Sequence, residues 1–193
     1  MEDLLQKALD VLQQPGSVLL VPTETVYGLV CDWHDTAARQ RIYQLKAREA
    51  AKPLAMFAAS AEMAAEHGAA LNPEAIKLLD AFAPGPITVI APGSGDYPTI
   101  GVRIPDHEFV LKLLRHYNRP LASTSANASG MPNALTVAEA TAQLQGEVDL
   151  VIDGGALPAN AAASTVVSVC ETPCRILRQG PISAEAICQK LAQ

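Results

Sequence analysis

The sequence predicts a single α/β domain, in which helices cover the faces of one mixed sheet. Short apolar segments alternate with segments of helical periodicity along the whole chain of 193 residues. The alternation is irregular and hairpin patterns interrupt it, which disfavours a doubly wound parallel sheet. No internal repeat or linker divides the chain, so we predict one domain over residues 1–193.

The first half of the chain opens with a helix, because its apolar residues recur at helical spacing from Leu4 to Leu12. Asn72 followed by Pro73 is a typical helix start, in which a capping side chain precedes a first-turn proline. Up to residue 91, the same criteria predict helices over 4–12, 37–47, 60–67 and 72–83, and strands over 17–21, 26–31, 54–58 and 87–91.

The second half contains further helix starts and several short apolar strands. Asp106 is predicted to cap one helix, Thr136 and Glu139 form a capping box at the next, and Ser183 caps the last. The predicted helices cover 107–117, 136–145 and 183–193, and the predicted strands cover 100–104, 120–122, 150–153, 165–169 and 175–177. The last two strands have the pattern of a hairpin.

The composition indicates a globular protein, since 49% of the residues are hydrophobic and 18% are charged. The net charge of −6 disfavours a surface that is basic throughout, although it is compatible with a local basic groove. No apolar segment approaches the ~20 residues of a membrane span, and the acidic, amphipathic N-terminus is unlike a signal peptide. We therefore expect a cytoplasmic protein that makes no membrane contact.

The sequence lacks several motifs of metal and nucleotide chemistry. The phosphate loop GxxxxGK[ST], the dinucleotide motif GxGxxG and the nucleophile elbow GxSxG are all absent. The spacing of the four cysteines and four histidines predicts no metal site. We expect the cysteines, Cys31, Cys170, Cys174 and Cys188, to be buried free thiols.

Residues 21–29, VPTETVYGL, place two hydroxyl groups and a carboxylate directly after an apolar strand. Ligands of open α/β sheets bind at strand ends. Threonine and glycine are also common in ordinary turns between strands, and this stretch on its own fits such a turn. The other polar segments of the chain change that interpretation.

Cations and hydroxyl groups recur at further predicted strand ends. Lys46, Arg48 and Lys52 form a cluster that is typical either of a solvated helix end or of a phosphate clamp. Arg103 interrupts the apolar segment GVRIP, where an unpaired buried charge is unfavourable, so we assign it to a site. The segment STSAN at 123–127 fits either a polar turn or a site for phosphate or carboxylate. Similar polar groups recur at Ser164, Thr165 and Arg178. Together these segments predict one pocket for an anionic ligand, formed at several strand ends.

The order of these segments resembles the YrdC-like family, the L-threonylcarbamoyladenylate synthases of tRNA modification. The matching segments are PTETVYGL (22–29), LKAR (45–48), KPL (52–54), PGPITVI (84–90), GVRIPDH (101–107), LASTSANASG (121–130), DGG (153–155), STVV (164–167) and ILRQGPIS (176–183). The resemblance spans nearly the whole chain. It implies a single α/β domain with a twisted, mixed and largely parallel sheet, flanked by helices around a concave basic cavity. It also implies the short form of the enzyme, without the additional C-terminal domain of some members.

The resemblance implies that L-threonine, bicarbonate and ATP react to give threonylcarbamoyl-AMP and pyrophosphate. The amine of threonine would attack the bicarbonate-derived carbon, and the carbamate oxygen would then attack the α-phosphorus. Downstream threonylcarbamoyltransferase proteins would transfer the product's threonylcarbamoyl group to a tRNA adenosine. We expect ATP to be a substrate accompanied by Mg²⁺, and we expect neither a tightly bound cofactor nor a protein nucleophile.

The resemblance also assigns roles to individual residues. The catalytic signature of the family corresponds to Lys46, Arg48, Ser125 and Asn127. The ATP-binding positions correspond to Arg48, Lys52, Thr99, Ser125, Asn133 and Arg178. The threonine-binding positions correspond to Thr25, Phe57, Arg103, Ser123 and Ser164. No residue is assigned to a metal.

Two other functions are also compatible with the sequence. An RNA- or tRNA-binding module would hold a phosphate backbone with Lys46, Arg48, Lys52 and Arg103, and its binding would weaken steeply with salt. A paralogue would keep the fold but act differently on threonylcarbamoyl compounds. The acidic net charge disfavours the first alternative, and the intact STSAN segment disfavours the second. Turnover of the three substrates distinguishes the synthase from both.

Overall fold

The computed structural model describes residues 2–47, 53–95 and 97–193. The helices are α1 (Glu2–Leu12), α2 (Thr36–Leu45), α3 (Ala61–Glu66), α4 (Pro73–Phe82), α5 (Glu108–Tyr117), α6 (Val137–Gln143) and α7 (Ala184–Leu191). The strands are β1 (Leu19–Val21), β2 (Gly28–Asp32), β3 (Ala55–Phe57), β4 (Ile87–Pro92), β5 (Thr99–Arg103), β6 (Leu121–Ser125), β7 (Leu150–Val151), β8 (Thr165–Ser168) and β9 (Arg175–Arg178). Each predicted element is present, with ends that differ by a few residues.

The strands form one sheet in the order β7-β1-β2-β6-β3-β5-β4-β8-β9. The pairs β1–β7, β3–β5 and β4–β8 are parallel, and the other five pairs are antiparallel. The predicted mixed sheet is therefore confirmed, but parallel pairs are fewer than the resemblance implies. Short connections join β1 to β2, β4 to β5 and β8 to β9, and such connections allow only antiparallel pairing.

One face of the sheet is covered along most of its width. Alternate residues of its strands, such as Leu29, Met56, Val89, Val102 and Val167, belong to the larger hydrophobic core. Helices α2, α4, α6 and α7 contribute Ile42, Leu78, Ala140 and Ile187 to the same core. Because strand side chains point alternately to the two faces, the remaining strand residues face the other side of the sheet.

The other face is covered only in part. Helices α1 and α5 pack on it through residues such as Leu12 and Leu113, against Val21, Val30 and Leu121 of strands β1, β2 and β6. On β3, β4, β5 and β8 this face turns away from the larger core. We call this part, with residues 55, 57, 88, 90, 99, 101, 103 and 166, the open face.

The helix caps follow the sequence signals with one exception. Asp35, Ser60, Asn72, Thr136 and Ser183 each accept a hydrogen bond from a backbone N–H in the first turn of the following helix. The prediction that Asp106 caps α5 is wrong. His107 occupies the cap position there, and its side chain makes no capping hydrogen bond.

Two further predictions need correction. Ser123, Thr124 and Ser125 belong to strand β6 rather than to a loop, because they pair with residues 28–30 of β2. Of the four cysteines, all are free thiols, but only Cys31 is buried.

Among the helices of the described ranges, none has the length and apolar character that a bilayer crossing requires.

Candidate functional site

A pocket of about 240 Å³ lies on the open face. The strand β5 shows how the sheet forms it, because Thr99, Gly101 and Arg103 alternate along β5 and all line the pocket. The volume is slightly below that of typical small-molecule sites, which begin at about 300 Å³. The sequence predicted a pocket at strand ends, whereas the structure places it on the uncovered part of a sheet face.

The described lining is rich in hydroxyl groups and includes two arginines but no carboxylate. Its polar residues with side-chain hydroxyl or guanidinium groups are Thr23, Tyr27, Thr88, Thr99, Arg103, Ser123, Thr124, Ser125, Ser164 and Arg178. Phe57, Leu54, Val26 and Ile90 supply apolar surface. This combination of two cations and many hydroxyl groups beside apolar surface favours a small anionic ligand.

Arg103 is held rigidly at one side of the pocket. It is only 6% exposed, and its Nη2 donates hydrogen bonds to Glu24 Oε1 at 2.8 Å and to Thr25 Oγ1 at 2.7 Å. Its guanidinium carbon lies 5.3 Å from the centre of the Phe57 ring, a cation–π distance. Arg103 Nε is buried without a hydrogen-bond partner among the residues that the structure describes. Glu24 and Thr25 therefore orient the guanidinium through Nη2, whereas its Nε has no described hydrogen-bond partner.

The turn at residues 23–25 places these partners. Thr23 Oγ1 donates to the carbonyl of Val26 at 2.6 Å and accepts from the amides of Thr25 and Val26 at 3.2 Å. The hydroxyl groups of Thr23 and Thr25 are 2.9 Å apart. The stretch is therefore both an ordinary turn between antiparallel strands and a wall of the site, so the two interpretations of the sequence are compatible.

Tyr27 connects this stretch to the DGG segment. Its buried hydroxyl donates to the carbonyl of Gly155 at 2.7 Å and accepts from the amide of Gly154 at 3.0 Å. Burial raises the pKa of Tyr27. A Cβ atom on Gly154 would lie 2.8 Å from Pro22 Cγ, so only glycine allows this close approach.

Arg178 faces the pocket from strand β9. Its Nε donates to the carbonyl of Ser164 at 2.9 Å, and its Nη2 donates to Ser164 Oγ at 3.1 Å. Ser164 Oγ is in turn 2.8 Å from Thr88 Oγ1. Burial, and after it the positive charge of Arg103, lowers the pKa of Arg178. The positive charge of Arg103 near that of Arg178 favours an anion close to both side chains.

Lys46 is placed differently from the phosphate clamp that its sequence context suggests. It is 2% exposed, and its Nζ donates to the carbonyl of Asn127 at 2.5 Å and to the carbonyl of Ser125. Asn127 Nδ2 donates to the carbonyls of Ala128 and Met131, whereas its Oδ1 is buried without a described partner. Within the described chain, neither Lys46 nor Asn127 lines the pocket.

The structure brings most of the residues assigned from the sequence to one place. Those that line the pocket are Phe57, Thr99, Arg103, Ser123, Ser125, Ser164 and Arg178. Thr25 contacts Arg103 behind the lining, and Asn133 lies outside it. Arg48 and Lys52 fall outside the described residues.

The sequence interpretation missed the role of Thr88 in this site. Thr88 lines the pocket and is hydrogen-bonded to Ser164, which itself binds Arg178. The available signal was its polar side chain within the apolar segment ITVIAP of strand β4. Glu24 was noted within its motif but was not assigned to the site, although it is the carboxylate that pairs with Arg103.

The described residues contain no group of three or more histidine, cysteine, aspartate or glutamate side chains that could hold a metal ion.

His107 is expected to make the stability of the protein depend on pH. Its Nδ1 is buried without a described partner, and burial lowers its pKa from 6.5, against the opposing effects of Glu24, Glu108 and Asp106. The unfolded chain then binds a proton more readily than the folded protein. The free energy of unfolding should be fully retained above pH 6.5 and should decrease as the pH falls through the lowered pKa of the folded state.

Urea unfolding at a series of pH values from about 8 to about 5 measures this dependence. In the variant His107→Gln the decrease should be smaller. A residual decrease is expected, because burial and His67 also lower the pKa of His34. An unchanged dependence in His107→Gln would exclude His107 as a source.

A family sequence model and individual relatives both match this chain, and they point to the same family. The sequence model of the Sua5_yciO_yrdC family, described as "Telomere recombination", matches residues 11–180. The chain is 36% identical over 180 residues to the threonylcarbamoyl-AMP synthase of Pyrococcus abyssi, a match that covers 89% of this chain and 53% of that protein. It is 36% identical over 162 residues to the synthase of Vibrio parahaemolyticus, covering 79% of this chain and 87% of that protein.

Two solved structures have the same fold. Sua5 of P. abyssi, crystallised with L-threonine, matches with a TM-score of 0.88 and 35% identity over 96% of this chain and 56% of that one. YciO of Escherichia coli matches with a TM-score of 0.85 over 97% of this chain and 94% of that one, and its 23% identity shows the fold alone. The chain thus spans about half the length of its P. abyssi relative.

Proposed function

Because this chain belongs to the Sua5/YciO/YrdC family, we propose that it condenses L-threonine, bicarbonate and ATP to threonylcarbamoyl-AMP and pyrophosphate. Relatives of 36% identity have the name of this synthase. The observation that supports the proposal best is the pair Arg103 and Arg178, which line one pocket whose described lining has no carboxylate. Both organic substrates of the reaction are anionic at the groups that must be held.

The threonine end of the pocket is proposed to lie at Arg103. Its guanidinium would bind the carboxylate of threonine, because arginine matches the planar geometry of a carboxylate. Phe57 is in contact distance of that guanidinium and offers apolar surface to the methyl group of threonine. Ser123, Ser164 and the hydroxyl group of Thr25 are polar groups available around the same ligand.

The ATP end is proposed to lie at Arg178, Ser125 and Thr99. Burial and the charge of Arg103 disfavour the charged form of Arg178, and a phosphate bound beside Arg178 would offset this. Arg48, Lys52 and Asn133 remain proposed ATP contacts from the sequence resemblance. The sequence resemblance assigns Lys46, Arg48, Ser125 and Asn127 to the catalytic signature, and the proposal keeps these four residues as the set that turnover requires.

The chemistry then needs positioning and charge stabilisation from the protein. The amine of threonine bonds to the carbon of bicarbonate, water leaves, and a carbamate forms. An oxygen of that carbamate bonds to the α-phosphorus of ATP, and the bond from this phosphorus to pyrophosphate breaks. Arginine side chains around the phosphates stabilise the charge that develops as pyrophosphate leaves.

The product is a reactive mixed anhydride, so the proposal includes a protein partner that consumes it. A downstream threonylcarbamoyltransferase would transfer the group to tRNA, and the proposal includes a direct contact of tRNA with this chain. A cytoplasmic location belongs to the proposal, because ATP and the tRNA acceptor are available there.

The test measures pyrophosphate release and the adenylate product from purified protein with Mg–ATP. Four reactions contain both L-threonine and bicarbonate, either one alone, or neither. The proposal requires both products, and only when threonine and bicarbonate are present together. If a folded protein that binds ATP gives no product, the proposed activity is refuted, and salt-dependent binding of tRNA would then support the RNA-binding alternative.

A further inference from the structure

We propose that Lys46 is a positioning residue, whose ammonium group fixes the main chain of residues 125–127 so that Ser125 faces the ligand. This inference rests on the proposed function, because it assigns a role in the same site. It differs from the phosphate clamp that the basic cluster at residues 46–52 suggests. The evidence lies in the contacts of Lys46, in the segment that it binds and in the way the chain delivers it.

Two contacts of the Lys46 ammonium group with described residues are with main-chain oxygen atoms. Its Nζ donates to the carbonyls of Ser125 and Asn127, which are 79 and 81 residues away in the sequence. The residue is 2% exposed. A buried ammonium group is unfavourable unless its hydrogen bonds are made, and hydrogen bonds from a charged donor are about twice as strong as neutral ones. Moving this ammonium to a phosphate oxygen would leave two carbonyl groups without it.

The segment that Lys46 binds is held from both sides. The carbonyls of Ser125 and Asn127 accept from Lys46, and the intervening amide of Ala126 donates to the carbonyl of Tyr27 at 2.8 Å. Ser125 also pairs with Gly28 of strand β2. These bonds fix the peptide planes that determine the direction of the Ser125 side chain, and Ser125 lines the pocket.

The end of helix α2 delivers Lys46 to this position. Lys46 is the C-cap residue, and its amide donates to the carbonyl of Ile42. The next residue, Ala47, has φ +45°, in the left-handed region that non-glycine residues seldom adopt. Such a conformation persists where surrounding contacts determine it. The buried hydrogen bonds of Lys46 are such contacts, because they fix the position of the residue directly before Ala47.

The sequence pattern and the structure thus assign Lys46 to different partners. In a direct phosphate contact, the charge of Lys46 would contribute to affinity for ATP independently of Ser125. In the positioning role, its effect would pass through the segment 125–127. A double-mutant cycle separates these roles, because independent effects multiply whereas coupled effects do not.

The experiment compares wild type with Lys46→Met, Ser125→Ala and the double variant. Methionine matches the lysine side chain as far as Cε but has no ammonium group. We expect Lys46→Met to lower kcat/KM for ATP, by up to about 100-fold for a displaced catalytic group, and to have a several-fold smaller effect in the Ser125→Ala background. Equal effects in both backgrounds would overturn the inference. Thermal unfolding of each protein checks that it is folded at the assay temperature. The unfolding temperature of Ser125→Ala is the reference for the two variants that contain Lys46→Met.

A second measurement needs no variant and so holds even if Lys46→Met does not fold. NMR of the lysine side-chain ammonium groups in wild type reports hydrogen exchange at Lys46. We expect its ammonium protons to be protected both without ligand and with Mg–ATP, because the carbonyls of Ser125 and Asn127 hold them in both states. Protection that appears only on addition of Mg–ATP would overturn the inference and support a phosphate contact.

The experiments distinguish failure of the proposed synthase activity from failure of the positioning role of Lys46. If wild type releases no pyrophosphate, the synthase is refuted, whereas protected Lys46 protons would still support the contact with residues 125–127. If wild type is active and the effects of Lys46→Met and Ser125→Ala multiply, the synthase stands and the positioning role is refuted.

Discussion

Replacing Arg103 with alanine is expected to raise the KM for L-threonine by roughly 10- to 100-fold, because a charge-assisted hydrogen bond contributes about 1.5–3 kcal/mol. The pocket would lose the guanidinium that lies over the Phe57 ring. The KM for ATP should change less, since Arg178 remains. Steady-state pyrophosphate release at varied threonine and varied ATP measures both values.

The same substitution removes the partner of Glu24, whose side chain is 18% exposed. We expect a loss of stability of about 3 kcal/mol in Arg103→Ala, and a smaller loss when Glu24→Gln is combined with it. Arg175→Ala is the matched control, because Arg175 is 69% exposed and its ion pair with Glu171 spans 3.7 Å. Unchanged threonine dependence in stable Arg103→Ala would show that the carboxylate binds elsewhere.

Replacing Thr165 with valine is expected to destabilise the fold by about 3 kcal/mol. Thr165 is fully buried, and its Oγ1 donates to the carbonyl of Ile182 and accepts from the amides of Gly180 and Ile182. Valine has a similar shape but no hydroxyl group, so these three backbone groups lose a partner, and each buried loss costs about 1–3 kcal/mol. Urea unfolding of the two proteins measures the difference.

Thr141→Val is the matched control for this prediction. Thr141 also donates from its hydroxyl group to a backbone carbonyl, that of Val137, but it is on an exposed part of helix α6. Its loss should change stability by no more than about 0.5 kcal/mol. Equal effects of the two substitutions would show that the contacts of Thr165 do not stabilise the fold. Because Thr165 directly follows Ser164, loss of the Thr165 hydroxyl group should also weaken the hydrogen bond from Arg178 Nε to the carbonyl of Ser164.

The elements of this fold could be predicted from local signals. Asn72 with Pro73 and Thr136 with Glu139 act within one helical turn, so the sequence contains everything that their caps require. The presence of a cation in the pocket could also be predicted, because Arg103 lies in an apolar segment where a charge needs a partner. The structure adds that this partner is Glu24, 79 residues away.

What the sequence could not show depends on contacts between distant segments. Ser123 and Ser125 were predicted to lie in a loop, because a run of polar residues after an apolar strand usually marks the end of that strand. They belong to β6 instead, and they line the pocket. Their environment depends on how far helices α1 and α5 extend over the sheet. The partners of Lys46 could not be predicted either, because they are backbone carbonyls, which have no signature in the sequence.

The two outermost strands also determine how the protein resists self-association. A free sheet edge offers unpaired backbone groups to another chain, and its length and charge set the risk of such pairing. One edge, β7, spans only Leu150–Val151, too short to act as a template. The other, β9, places Arg175 and Arg178 at its two ends, around the half-exposed Leu177. The charge of Arg178 therefore also helps to keep this edge from pairing with a second molecule.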